Sequence, residues 1–146
     1  MQPAVDDNYF NLGNHSLPVS TSSPIAQAWF DRGLAWCYGF NHEEAVRCFE
    51  KTLEQDPLCA MGHWGIAYAS GSFYNKPWEW FGDEERTQVV KTCYHHARTA
   101  LELSATATPL EAQLIAALSE KHAAGQAREL TELAQWEETY SGRMRD

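Results

Sequence analysis

The sequence predicts an all-α fold of antiparallel helix pairs stacked in a short right-handed solenoid, preceded by an extended N-terminal arm. Three observations carry that expectation. Aromatic and small residues recur at the spacing of a helix–turn–helix unit of about 34 residues. Apolar stripes of helical period continue beyond this unit, and the glycines and prolines fall mostly between them. At 146 residues with 44% hydrophobic content, the chain is long and apolar enough for one domain with a core.

The clearest unit runs from Ala26 to Cys59. Gly33 and Ala45 are small, which lets two helices approach closely, and Trp29, Trp36 and Phe49 fill the space around that contact. Gly39 to Asn41 is the expected turn. Pro57 ends the second helix, because it lacks an N–H and restricts the residue before it. Arg32 stands where leucine would be usual, so its stem is expected on the core and its head at a carboxylate.

A second unit, residues 60–104, opens with a helix from Ala60 to Ser70. Ala67 takes the small position and His63 replaces the expected tryptophan. Gly71 to Gly82 holds two glycines and a proline and reads as a loop. The next helix is expected from Asp83, as N-cap with Glu84 and Glu85 in the first turn, to Leu103. Cys93, Ala97 and Ala100 take its inner positions, and the unit is about 14 residues longer than the first.

Residues 108–140 form a degenerate third pair. Thr108-Pro109 with Glu111 marks a helix start, and Leu110, Leu114, Ile115 and Leu118 give its stripe. Ala123 to Gly125 is the turn. The last helix is expected from Ala127 to about Tyr140, with Leu130, Leu133, Ala134 and Trp136 apolar. No capping helix follows, so a longer parent chain, a frayed tail or cover by another subunit is expected. Residues 1–25 form the arm, within which Ser23 caps the first helix and Pro24 takes its first position. Tyr9, Phe10, Leu12, Leu17 and Val19 are too apolar for a loose tail, so the arm is expected on the helices of domain 26–146.

The Trp29–Gly33–Trp36, Ala45–Phe49, Pro57 pattern resembles the tetratricopeptide (TPR) repeat. From Leu12 to Trp78 the chain is similar to a poorly characterised subgroup of bacterial and fungal TPR proteins. The segments that carry this are Leu-Gly-Asn-His-Ser, Ala-Gln-Ala-Trp-Phe-Asp-Arg-Gly-Leu, Gly-Phe-Asn-His-Glu-Glu-Ala, His-Trp-Gly-Ile-Ala-Tyr and Tyr-Asn-Lys-Pro-Trp. The resemblance implies a binding module and a chain shorter than most of its relatives. It does not imply an activity.

Composition excludes several classes. A formal net charge of −9 argues against a general nucleic-acid or anionic-membrane partner. No apolar run is long enough to span a bilayer. The four cysteines, Cys37, Cys48, Cys59 and Cys93, form no CxxC pair. With no secretion signal at Met1 they read as reduced thiols of a cytoplasmic protein. No GxSxG, HExxH, phosphate-binding glycine loop or dinucleotide fingerprint occurs.

Repeat positions place Gln27, Phe30, Leu34 and Cys37, then Met61, Trp64, Tyr68 and Gly71, on a concave face. That face lacks the Lys, Arg and Asn of a carboxylate clamp. The expected ligand groove is Phe30, Leu34, Cys37, Trp64, Tyr68 and Tyr74, holding a protein segment or a small apolar molecule. The competing expectation is that the arm or the inserted loop fills this face as core. His15, His42 and His63 are candidate ligands of a shared transition metal, since three neutral imidazoles suit Zn, Cu, Fe or Ni. The alternative is that each is a satisfied core or cap residue. His95 and His96 read as surface residues. The first functional expectation is therefore a TPR-type binding module, with self-association through the uncapped C-terminal helices. The second is a small enzyme, metal-dependent or cofactor-independent, with a histidine-containing pocket on the same scaffold.

Overall fold

A computed structural model describes residues 9–73, 75–126 and 129–146. Those residues form six α-helices: α1 Pro24–Tyr38, α2 His42–Gln55, α3 Ala60–Ser70, α4 Asp83–Leu103, α5 Pro109–Lys121 and α6 Leu130–Arg145. Each helix packs on the next in chain order, and α3 also touches α1 and α5. The chain is thus all-helical, built of packed helix pairs, with α3 at its centre.

Local chemistry explains the helix ends. Ser23 caps α1 through its side chain, which accepts the Ala26 N–H, and Pro24 occupies the first turn, where its missing N–H is harmless. Thr108 and Glu111 make a reciprocal capping box at the start of α5. Asn41 caps α2 by accepting the Glu44 N–H at 3.2 Å. Gly82, not Asp83, is the N-cap of α4, so all three acidic residues Asp83, Glu84 and Glu85 lie in its first turn and complement its dipole. The last helix extends to Arg145, beyond the expected end near Tyr140. The expected start of that helix at Ala127 lies outside the described residues.

Phe49 organises the main core. It is fully buried and tilts against Phe30 at 5.5 Å between ring centroids. A Cβ on Gly33 of α1 or on Gly65 of α3 would fall 2.5 Å from its ring. One α2 side chain therefore lies against bare backbone on both neighbouring helices, which is how the three helices come close together.

The inserted segment after α3 builds a second, smaller core. Phe73 and Lys76 pair through two backbone hydrogen bonds, and Trp78–Trp80 forms a 3₁₀ turn. Trp78 and Phe81 then pack with Val90 of α4 and Leu133 of α6. The insertion thus joins the last helix to the second helix pair.

From Tyr9 onward the arm is docked along α1. Gln27 accepts the Val19 N–H at 2.9 Å and donates to the Leu17 carbonyl at 2.9 Å, so its amide pairs with extended backbone as a strand would. Asp31 accepts the Leu17 N–H and the Ser16 hydroxyl. Leu17 and Val19 pack on the core. Further back, the Tyr9 hydroxyl accepts the Trp36 indole N–H at 2.6 Å and donates to Glu44. Arg32 lies against both the Tyr9 and Trp29 rings at 4.5 Å, so its cation stacks on two aromatic faces.

Candidate functional site

The residues expected to line a groove do not form an open surface. Phe30, Leu34, Cys37 and Trp64 are buried in one cluster with Ile115 and Leu118 of α5. Tyr68 is half-buried and stacks on Trp64 at 4.9 Å with the rings nearly parallel. Tyr74 lies outside the described residues. The physical reason is that an aromatic face is costly to leave in water, and the arm and α5 supply the apolar surface that covers it.

The three candidate metal histidines are also not brought together. His42 is the first residue of α2, whereas the His63 Nε2 lies 3.4 Å from the carbonyl of Pro57, beyond the other end of that helix. The 14 residues of α2 span about 21 Å, far beyond the reach of ligand bonds of about 2 Å. His15 is exposed and stands beside the Tyr38 ring at 6.5 Å. Among the described residues no group of three or more His, Cys, Asp and Glu side chains is arranged to hold a metal ion.

What the structure assembles instead is a cleft of about 660 Å³ between α2, α4 and the inserted segment. Its aromatic walls are Phe40, Phe73 and Phe81, with His42 at the α2 end. The His42 imidazole stacks on Phe73 at 3.8 Å with the planes 21° apart, and neither ring nitrogen has a hydrogen-bond partner. Burial, and then the Lys121 charge, lower its pKa, which keeps it neutral at pH 7. A neutral imidazole offers one donor and one acceptor. On the opposite wall Lys76 pairs with Glu85 at 2.5 Å and lies over the Phe81 ring at 4.3 Å.

Phe40 is held in an unusual conformation. It lies at φ 61°, the left-handed region that normally selects glycine. Its N–H donates to the Cys37 carbonyl at 3.0 Å and the Asn41 N–H to the Trp36 carbonyl at 2.9 Å, which closes α1 as a Schellman turn. Gly39, one residue earlier, does not take the left-handed position. The phenyl ring is 62% exposed at the rim of the cleft. Strain of about 1–3 kcal/mol in a bulky, exposed residue is not explained by packing.

Behind Phe73 lies a polar cluster. Lys121 donates to the Ser72 carbonyl at 2.9 Å and feels the Glu137 charge, and the Ser72 hydroxyl donates to Glu137. His122 is buried against Gly71, where a Cβ would approach its ring to 2.9 Å. Burial first, then the Lys121 charge, push the His122 pKa down to about 3. The unfolded value is near 6.5. The folded protein therefore binds fewer protons, and this contribution is complete above pH 6.5 and lost as pH falls toward 3. The expected slope is about 1.4 kcal/mol per pH unit. Urea melts at pH 7 and pH 5 should show a loss to which His42, His63 and His96 also contribute through their lowered pKa values, and His122→Gln should remove about 2 kcal/mol of it. An equal loss in that variant would mean that His122 is not a responsible group.

Sequence reasoning missed Phe40, Phe73, Lys76 and Phe81 as one lining. The available signal was the aromatic insertion itself, with three aromatic residues from Trp78 to Phe81 in a loop. His96 was also misplaced, since it is half-buried and faces His63. The four cysteines are free and buried, and no helix among the described residues is long and apolar enough to cross a membrane. Comparison with protein-family models, with curated proteins and with solved structures finds no match to this chain.

Proposed function

We propose that this chain is a ligand-binding module of TPR type, and that its ligand occupies the cleft between α2 and α4 beneath Phe73. The single observation that carries this reading is the His42 ring, stacked on Phe73 in the cleft wall with both nitrogens unpartnered. A buried polar group without a partner is costly, and both nitrogens are shielded by their neighbours, so an occupant that shifts the Phe73 ring and supplies a partner gains both affinity and specificity. The volume falls within the usual range of small-molecule sites, about 300–1,000 Å³. The ligand class is a small apolar or aromatic molecule, or a peptide side chain, that carries one hydrogen-bonding group. Support for the TPR-type scaffold is the Trp29–Gly33–Trp36–Ala45–Phe49–Pro57 spacing together with the stacking of α1 to α4.

The test is an NMR titration of the labelled protein with small aromatic phenols and amides. Amide shifts are expected to cluster at Phe40 to Glu43, Phe73 and Lys76. His42→Phe, which keeps the stack and removes the nitrogens, should weaken binding at least about tenfold. Shifts centred elsewhere, or none with any compound, would overturn the site.

Phe40 offers a second check with two readouts of opposite sign. Phe40→Gly should stabilise the fold by about 1 kcal/mol, because glycine takes the left-handed turn without strain. The same change should weaken ligand binding by removing an aromatic wall. A variant that loses stability would show that the Phe40 ring is a packing residue and not a binding one.

A further inference from the structure

The two histidines at the opposite end of α3 from the cleft form an arrangement of their own. His63 Nδ1 on α3 and His96 Nδ1 on α4 are 3.0 Å apart, and their rings are tilted by 30°. The His63 Nε2 lies 3.4 Å from the Pro57 carbonyl. That contact selects the Nε2–H tautomer of His63 and leaves the Nδ1 lone pair pointing at His96. An outer carbonyl that orients a ring in this way is a standard support for a metal-binding imidazole.

Both rings are neutral at pH 7. Burial holds His63 below its usual range, and burial, with the repulsion that a protonated His63 would add, holds His96 at about 4. In the unoccupied pair, His96 Nδ1–H must donate to His63 Nδ1. Moving that proton to Nε2 is a tautomer change without net charge, and it frees a second lone pair facing the first, which a swing of the two rings would bring to one point.

We propose that His63 and His96 bind one divalent late transition-metal ion, Cu²⁺ or Ni²⁺, through their two Nδ1 atoms. The separation argues for this class. With metal–nitrogen bonds of about 2.0–2.1 Å, donors 3.0 Å apart subtend an angle of about 90° at the ion. That is the adjacent-ligand angle of square-planar and tetragonal sites, which Cu²⁺ and Ni²⁺ prefer, and is tighter than the tetrahedral angle of structural zinc. Both rings are half-buried, so one side of the pair remains open for water ligands. His95, exposed and 5.2 Å from the His96 ring, adds no fixed ligand.

Tag-free full chain titrated with CuCl₂ should take up one equivalent. Frozen-solution EPR should show splitting from two imidazole nitrogens. In the NMR spectrum of the unaltered protein, Cu²⁺ should broaden amides around His63 and His96 first, a readout that requires no variant. His63→Gln and His96→Gln should each lower affinity at least about tenfold, while His15→Gln and His42→Gln should leave it within twofold. Broadening centred on His15 or on the N-terminal residues, or affinity unchanged in both the His63 and His96 variants, would overturn the assignment. So would failure of the intact protein to bind Cu²⁺ and Ni²⁺.

Discussion

Gly65→Leu should abolish cooperative folding, and Gly33→Leu should do nearly the same. A Cβ at either position meets the Phe49 ring at 2.5 Å, a distance that real Cβ atoms essentially never show. The usual escape is for the ring to swing away. Phe49 cannot, because the other glycine's backbone lies against it on the neighbouring helix and its surroundings are fully buried. Overpacking costs about 1–3 kcal/mol even where some relaxation is available. A whole isobutyl group on a ring held by both neighbours should exceed the top of that range, out of a total stability of about 5–15 kcal/mol. Urea melts followed by circular dichroism would measure this. Gly142→Ala is the control: nothing lies within 4 Å of its added Cβ, and it sits within α6. It should raise stability by about 0.5–1 kcal/mol through helix propensity alone. If Gly65→Leu melted like the native chain, the wedge of Phe49 between α1 and α3 would be refuted.

Glu111→Ala should undo the arm and destabilise the whole chain by about 3 kcal/mol. The Glu111 carboxylate is 3% exposed and accepts three hydrogen bonds: the Ser20 N–H at 2.6 Å, the Ser20 hydroxyl at 2.6 Å and the Thr108 N–H at 2.7 Å. Burial alone would raise its pKa, but these donors outweigh it and the value lies below the usual one. Bonds to a charged acceptor contribute about 1.5–3 kcal/mol each before the loss of the helix cap is added. Truncation leaves these donors without their acceptor, so the loss is not a simple deletion of contacts. The pH sign follows from the lowered value: the contribution is complete above the ordinary carboxylate pKa and is lost as pH falls through the folded one. Amide exchange supplies the specific readout. Leu17, Val19 and Ser20 should exchange much faster in Glu111→Ala, while α2 should change far less. Continued protection of Leu17 and Val19 would show that Gln27 and Asp31 suffice to hold the arm.

How much of this was legible in the chain differs residue by residue. Gly33 was legible because its small size serves the helix pair in which it lies. Gly65 was not, since the ring it admits belongs to the preceding pair. The site was less legible still. His42 and His63 stand out as imidazoles where the expected repeat would place large aromatic residues, but their neighbours Phe73 and His96 are 31 and 33 residues away in sequence. No local pattern encodes those pairings.

The sequence by itself determined that the chain is helical and where three of its helices start. Ser23 with Pro24, Asn41 with Glu44, and Thr108 with Glu111 act within a single turn, and hydrophobic period decides which side of each helix is apolar. Only the tertiary structure decided what covers the aromatic face of α1 and α3, which imidazoles meet, and where the cleft opens. These depend on contacts such as Ser20 to Glu111, 91 residues apart, whose formation rests on how all the helices stack. Short-range hydrogen bonds need only neighbouring residues, whereas burial of an apolar face is satisfied by any surface that fits, and the sequence does not say in advance which surface arrives.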